Sequence, residues 1–211
     1  MNLERRTVSA HRQSHQVKGS ATRQRIVDEA RRTLVADGYD ALVLRTIAER
    51  LDMKLGNLQY YFRTRDDLLL EVIRNEARSD LEVIRGIAEH DQPGTDVLRQ
   101  LVRSLVSKWR SDSGIVFTTL MFVAQHRQPF ATAYREVYTE FYGVIERAIE
   151  HAQPGHDPRT YQQRDRLLTA LIDGAAMQTN TGPQSQYVES VIDAALQIAL
   201  APTTAQTGSA E

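Results

Sequence analysis

The chain contains no cysteine among its 211 residues, which excludes disulfides, thiolate zinc sites and cysteine nucleophiles. It also lacks a long apolar run: the longest uncharged apolar stretch, residues 114–125, is too short to span a bilayer. The first residues carry no apolar segment typical of a secretory signal. Since 41% of the residues are hydrophobic and 25% are charged, a common balance for a globular protein, we expect a cytoplasmic protein with no membrane partner.

Motifs that carry catalysis or hold cofactors are also missing. The sequence has no G-x-S-x-G, no P-loop and no G-x-G-x-x-G. His151 and His156 lie across Pro154 and Gly155, without the helical register that would bring two metal ligands together. We therefore expect no enzyme, no bound metal and no cofactor.

Charge is distributed unevenly along the chain. Residues 1–65 hold 13 lysines and arginines against seven acids, whereas residues 66–211 hold 13 against 20. A basic N-terminal third is typical of a segment that faces a polyanion. A chance segregation of solvated charges explains the same counts equally well.

Helical periodicity extends over nearly the whole chain, and no stretch shows the alternation of a strand. The sequence predicts an all-α protein of about nine helices, in which Thr22 caps the first and Thr64 the fourth. The predicted helices span residues 22–36, 44–51, 55–62, 66–89, 96–110, 113–126, 129–153, 158–180 and 184–200.

The predicted domains follow from these helices. Residues 1–20 form a basic, flexible arm, which either reaches into a DNA minor groove or is only a solvated leader. Residues 21–65 form a three-helix domain, residues 66–201 a larger helical domain, and residues 202–211 a disordered tail.

Helices 44–51 and 55–62 are short and joined by a tight turn, which is the helix-turn-helix pattern. The second has two strongly buried positions, Leu58 and Phe62. Its other face carries Asn57 and Gln59, whose amides can pair with an adenine edge, and tyrosines that can contact thymine methyls or phosphates. Any short polar helix on an all-α surface would look similar.

The order and spacing around this pattern are more specific. Residues 22–73 resemble the DNA-binding region of the tetracycline-repressor (TetR) family of transcriptional regulators. The shared features are Gly38 and Tyr39, then R-x-I-A-x-x-L from Arg45 to Leu51, then G-x-L from Gly56 to Leu58 and an aromatic pair ending in Phe62.

The resemblance implies that Arg45 contacts phosphate, that Asn57, Gln59 and Tyr60 face the major groove, and that Tyr61 and Arg65 hold the DNA backbone. Four positions depart from the family pattern: Lys54 replaces a small hydroxyl cap, Asp52 stands where glycine is usual, and Leu42 and Val43 replace threonines that commonly cap the second helix. The full set of DNA-binding candidates is Arg45, Thr46, Lys54, Leu55, Gly56, Asn57, Gln59, Tyr60, Tyr61 and Arg65.

The acidic remainder is rich in aromatic residues, most of which belong to an ordinary core, although such a bundle can also enclose an apolar cavity. The resemblance places a small-molecule pocket there, with candidates Trp109, Phe117, Met121, Phe122, His126, Tyr138, Phe141 and Met177. It also pairs the last two helices with a second subunit, through Leu171, Ala175, Val188, Val191, Ile192 and Ala195. Closing the monomer core is the alternative role for these helices.

The sequence thus predicts a ligand-responsive DNA-binding regulator, most simply a repressor. It would bind a palindromic double-stranded DNA operator as a homodimer and be released by a small-molecule effector. The alternative is an all-α enzyme or a small-molecule carrier without DNA binding, which leaves the basic third and the amide-bearing helix face unexplained.

Overall fold

The computed structural model describes the backbone of residues 3–89, 94–179 and 185–202. Every regular element within these ranges is helical, which confirms the predicted all-α class. The helices are α1 (Leu3–Asp37), α2 (Leu44–Arg50), α3 (Leu55–Tyr61), α4 (Arg65–Ala88), α5 (Gly94–Trp109), α6 (Asp112–Ala124), α7 (Gln128–Ala152), α8 (Pro158–Thr179) and α9 (Ser185–Ala199), with a short 3₁₀ turn at Tyr39–Ala41.

Helix α1 is the one element that departs strongly from its predicted bounds. It begins at Leu3, so Thr22 lies inside the helix and does not cap it. Residues 3–20 of the predicted arm are therefore helical in backbone. The sequence did not predict this part of the helix, because an amphipathic period detects only helices that bury an apolar face, and residues 3–21 lack that period although they contain no proline.

The chain divides into two compact units, residues 1–75 and residues 76–211. The division falls inside α4, ten residues beyond the boundary predicted at its start, because the first turns of α4 carry buried residues of the N-terminal unit such as Leu69 and Val72. Three segments lie outside the described residues: residues 90–93, residues 180–184, and residues 203–211, which hold most of the predicted tail.

The N-terminal unit is built around the apolar stripes of its helices. Ile26, Ala30 and Leu34 recur every four residues on α1 and are fully buried, and Ile47 of α2 and Leu58 of α3 are fully buried as well. Helix α2 packs on both α1 and α3. The core thus fixes which face of α3 points inward.

The C-terminal unit is a helical bundle. Helix α5 packs against α6, α7, α8 and α9, and α8 packs against α7 and α9. Leu98, Leu101 and Val102 on α5 have no exposed surface, which places α5 at the centre of the core.

Candidate nucleic-acid interface and effector cavity

The turn between α2 and α3 depends on Asp52. Its φ of 51° makes it a left-handed residue, and no other non-glycine residue in the described ranges has a positive φ. The turn closes where the Met53 amide donates to the Ala48 carbonyl at 3.0 Å. Asp tolerates this conformation better than most residues, so the departure from glycine keeps the turn intact.

Helix α3 is held by two anchors and exposes the rest of its surface. Leu58 is 0% exposed and Phe62 is 2% exposed, whereas Asn57 and Gln59 are exposed. Tyr60 is 85% exposed, the highest value among the large hydrophobic residues described. Its ring packs edge-on against Tyr61 at 5.2 Å. Two amides and a phenol are therefore presented outward on one short helix.

The remaining DNA-binding candidates surround this face. Lys54, Leu55 and Gly56 are exposed at the start of α3, while Thr46 and Tyr61 are half-buried. Lys54 is the N-cap residue of α3 and makes no side-chain capping bond, because an ammonium group has no acceptor to offer the helix amides.

Arg45 and Arg65 have different surroundings. Arg45 is 79% exposed in its side chain and pairs with Glu49 at 3.2 Å. The guanidinium of Arg65 lies 3.8 Å from the centre of the Tyr39 ring and donates to the Tyr39 carbonyl. Arg65 therefore connects the 3₁₀ turn to the start of α4.

Helix α4 starts with a reciprocal cap, as the sequence predicted for Thr64. The Thr64 amide donates to Asp67 Oδ2 at 3.0 Å, and the Asp67 amide donates to Thr64 Oγ1 at 3.1 Å. This arrangement satisfies amides that a helix N-terminus otherwise leaves unpaired.

The C-terminal unit encloses a cavity between α4, α5, α6, α7 and α8. Four of the eight predicted ligand residues, Trp109, Phe117, Tyr138 and Phe141, line it. Phe117 lies 5.5 Å from Trp109 and 5.8 Å from Phe141, measured between ring centres. A Cβ on Gly114 would lie 1.8 Å from the Trp109 carbonyl oxygen, so only glycine allows α6 to begin this close to the end of α5.

Charged groups also line the cavity, and sequence reasoning missed them. Lys108 Nζ lies 2.6 Å from Asp80 Oδ1, and the Tyr138 hydroxyl donates to Asp173 Oδ2 at 3.0 Å. Burial raises the pKa of Asp173 to about 6, against the opposing effect of the Tyr138 hydrogen bond. Burial also raises the pKa of Asp80, although Lys108 opposes the shift.

The helical register contained a signal for these acids. Asp80 shares a helix face with Ile84 at the i, i+4 spacing, and Asp173 shares one with Thr169; all four residues line the cavity. Acidic side chains are most often found on solvent faces, so the register alone does not mark these two as buried.

The other four predicted ligand residues, Met121, Phe122, His126 and Met177, do not line the cavity. Phe122 is 62% exposed and Met177 is 56% exposed, and His126 is exposed beside the Phe122 ring. Helix α6 carries apolar residues on almost every side, so its sequence did not indicate which side packs inward.

Four of the six residues predicted at a dimer interface are buried inside the single chain. Ala195 is 0% exposed, and Ala175, Val191 and Ile192 are similarly enclosed, because they pack in the core formed with α5. Within the single chain these four residues close the core, which is the alternative role that the sequence left open for these helices, and their place in a dimer interface stays a prediction. Leu171 and Val188 are half-buried.

The outer side of α8 carries a different apolar row. Leu167 is 53% exposed and Met177 is 56% exposed, with Leu171 and Gly174 partly exposed between them. These positions recur at helical spacing on one side of α8. We call Leu167, Leu171, Gly174 and Met177 the outer row of α8.

The fold and the exposed amide face of α3 define a class: a helix-turn-helix DNA-binding transcription regulator with a second helical domain. Comparison with known families identifies it more closely. The model for bacterial regulatory proteins of the tetR family matches residues 26–72. The model for the C-terminal domain of BetI-type transcriptional repressors matches residues 93–201. The chain belongs to the TetR family, whose members are transcription factors and not enzymes.

Individual relatives agree with this assignment. A helix-turn-helix-type regulator from the dhlA 5′ region of Xanthobacter autotrophicus is 41% identical over 95 residues, or 43% of this chain. The match covers 46% of that protein, less than half of its length.

Two solved structures are similar over most of the chain. One is a transcriptional regulator from Saccharomonospora viridis in complex with choline, with a TM-score of 0.72, 21% identity, and coverage of 83% of this chain and 94% of that one. The other is a TetR regulator from Haloarcula marismortui, with a TM-score of 0.74, 21% identity, and coverage of 85% and 97%. At these identities the likeness shows the fold alone.

No helix in the described part of the chain is both long enough and apolar enough to cross a membrane.

Proposed function

We propose that this TetR-family regulator is a repressor that binds a palindromic operator as a homodimer and leaves it when a small organic cation enters the cavity. The observation that carries the proposal is the exposed face of α3, where Asn57 and Gln59 are exposed and Tyr60 is 85% exposed. Because its proposed partner is operator DNA, we place the protein in the cytoplasm.

Base recognition follows from the groups on α3. Amide side chains can make two hydrogen bonds to adenine in the major groove, and a tyrosine ring can contact a thymine methyl. Asn57, Gln59 and Tyr60 offer these groups, while Arg45 at the start of α2 offers a guanidinium to phosphate. In a two-fold dimer the two α3 helices would enter major grooves about 34–36 Å apart, so the operator would be an inverted repeat.

The outer row of α8 supports the dimer. Leu167 and Met177 each expose more than half of their surface, and Gly174 between them would permit two helices to approach closely. A two-fold axis beside this row would bury the same residues from both subunits.

The cavity supports an effector that is both apolar and positively charged. Its aromatic lining resembles the aromatic cages that bind quaternary ammonium groups. Asp80 and Asp173 line it with Lys108, which makes two carboxylates against one ammonium. The Saccharomonospora viridis regulator of similar fold is in complex with choline, which supports the same ligand class.

Selection of bound sequences from random double-stranded DNA tests the operator. The purified chain should enrich an inverted repeat whose half-site centres lie about one helical turn, or a multiple of a turn, apart. The Tyr60→Ala variant is the matched control, because it removes the most exposed ring of α3 while leaving Leu58 and Phe62 in the core. Enrichment of no motif would favour a small-molecule carrier without DNA binding, and an asymmetric single site would contradict the dimer.

A further inference from the structure

The cavity already holds an ammonium group, which belongs to the protein itself. Lys108 Nζ lies 2.6 Å from Asp80 Oδ1, and both residues line the cavity. The Asp80 side chain is 5% exposed and the Lys108 side chain is 30% exposed. The carboxylate is thus enclosed, while the lysine retains a path to solvent.

Asp80 belongs to a polar network that links three helices. Besides the contact to Lys108 of α5, Oδ1 of Asp80 on α4 lies 3.5 Å from the Ser113 hydroxyl oxygen of α6. The one Ser113 hydroxyl proton is donated to Glu76 Oε1, also on α4, at 2.5 Å. The position of Lys108 therefore bears directly on how α4 is held against α5 and α6.

The space in the cavity requires a side chain to move before an organic ligand can enter. The free volume is about 30 Å³, which suits about two water molecules. Phe117 and Tyr138 are about 5% exposed, and rings enclosed to this degree have little room to turn. Lys108 has a flexible four-carbon stem and partial access to solvent, so it is the lining group best able to leave.

Lys108 thus occupies both the space and the charge-binding position that a cationic effector would need. We propose that Lys108 is a tethered competitor of the effector: an organic ammonium ion binds by displacing the lysine ammonium from Asp80. This inference rests on the cavity being the effector site proposed above. Displacement breaks the ion pair between α4 and α5, which gives ligand entry a direct effect on α4.

The competition has a measurable consequence for affinity. When a site is open for only a fraction of the time, the apparent dissociation constant rises in inverse proportion to that fraction. If the lysine occupies the site about nine-tenths of the time, removing its ammonium should tighten binding of a small cation by about ten-fold.

Trp109 offers the readout. It is the one tryptophan of the chain and it lines the cavity, so its fluorescence should report occupancy. Choline chloride is the cationic probe, and 3,3-dimethylbutan-1-ol is its neutral counterpart of nearly the same shape. Lys108→Met removes the ammonium but keeps an unbranched stem. Arg103→Met removes a positive charge from the same helix outside the cavity lining, where Arg103 forms an exposed pair with Glu189 at 2.8 Å.

Lys108→Met should bind choline about ten-fold more tightly than the unmodified chain, with no such gain for the neutral alcohol. Arg103→Met should bind choline as the unmodified chain does. Equal choline affinity in Lys108→Met and the unmodified chain would overturn the tethered competitor while leaving the cavity as a cation site. Absence of choline binding in both would overturn the competitor and the cation effector together, and operator selection would still test the DNA-binding role separately.

A second variant covers the case in which Lys108→Met fails to fold because Asp80 loses its partner. Lys108→Arg keeps the charge, and its planar guanidinium can hold a carboxylate through two hydrogen bonds. It should therefore be harder to displace, and choline affinity should fall below that of the unmodified chain. Unchanged or tighter choline binding in Lys108→Arg would contradict the competition.

Discussion

Arg45→Ala tests the phosphate contact expected at the start of α2. The Arg45 side chain is 79% exposed and its ion pair with Glu49 is 3.2 Å long and open to solvent. Exposed pairs of this kind contribute little to stability, so the variant should fold normally. Its defect should appear in DNA binding alone, at every sequence, because phosphate contacts carry no base information.

The magnitude follows from counterion release. Each phosphate neutralised changes the slope of log affinity against log salt by about 0.9. A dimer carries two copies of Arg45, so the variant should lose about 2 from the slope. Between 50 and 200 mM salt, the affinity gap between the variant and the unmodified protein should therefore shrink by about ten-fold.

Fluorescence anisotropy with labelled operator, repeated over this salt range, measures the slope. Arg103→Ala is the matched control, since Arg103 lies in the C-terminal unit and forms an exposed pair with Glu189 of the same unit at 2.8 Å. The control should leave the slope unchanged. A slope in Arg45→Ala that equals that of the unmodified protein would remove Arg45 from the phosphate contacts and would weaken the docking of α2 and α3.

Three further predictions concern recognition, assembly and stability. Gln59→Ala should relax base preference in each half-site by about 1–3 kcal/mol, and selection that recovers an identical motif would contradict this. Leu167→Glu should give a folded monomer by sedimentation and circular dichroism, whereas Ala195→Asp should unfold the bundle, because Ala195 is fully buried; a folded, dimeric Leu167→Glu would exclude the outer row. Burial, with Glu146 nearby, raises the pKa of Asp165 to about 7, so the folded state binds this proton more tightly than the unfolded state does. Urea unfolding should show that acidification from pH 7 to pH 5 stabilises the unmodified protein relative to Asp165→Asn by about 2 kcal/mol, and an equal pH response in both would refute it.

The helix-turn-helix could be predicted from sequence because its determinants are local. Apolar residues such as Ile47 of α2 and Leu58 of α3 mark the buried side of each short helix. Asn57 and Gln59, the neighbours of Leu58, then fall on the exposed side of α3. The left-handed turn at Asp52 was also predictable, since few residue types tolerate that conformation. Side-chain direction on α3 thus follows from periodicity within a single helix.

The cavity and the dimer surface depend on which helix faces meet, and that information is not local. Ala195 and Leu167 are both apolar residues in amphipathic helices, yet one is fully buried and the other is half exposed. Helices α8 and α9 carry apolar residues on more than one side, so periodicity predicts two burial surfaces without saying which one closes the core. The structure resolves the choice by packing α9 and the inner side of α8 against α5.

The ion pair between Asp80 and Lys108 also bears on how an effector would control DNA binding. A ligand shifts a conformational equilibrium only by the difference between its affinities for the two states. The ion pair between Asp80 and Lys108 supplies such a difference. In the state with the pair formed, an effector cation must displace Lys108, whereas in the state with the pair broken it meets no competitor. Helix α4 carries Asp80 on one side of the unit boundary and Leu69, a buried residue of the N-terminal unit, on the other. Loss of the pair would therefore act on the helix that both units share, and by linkage the operator should weaken effector binding as much as the effector weakens operator binding.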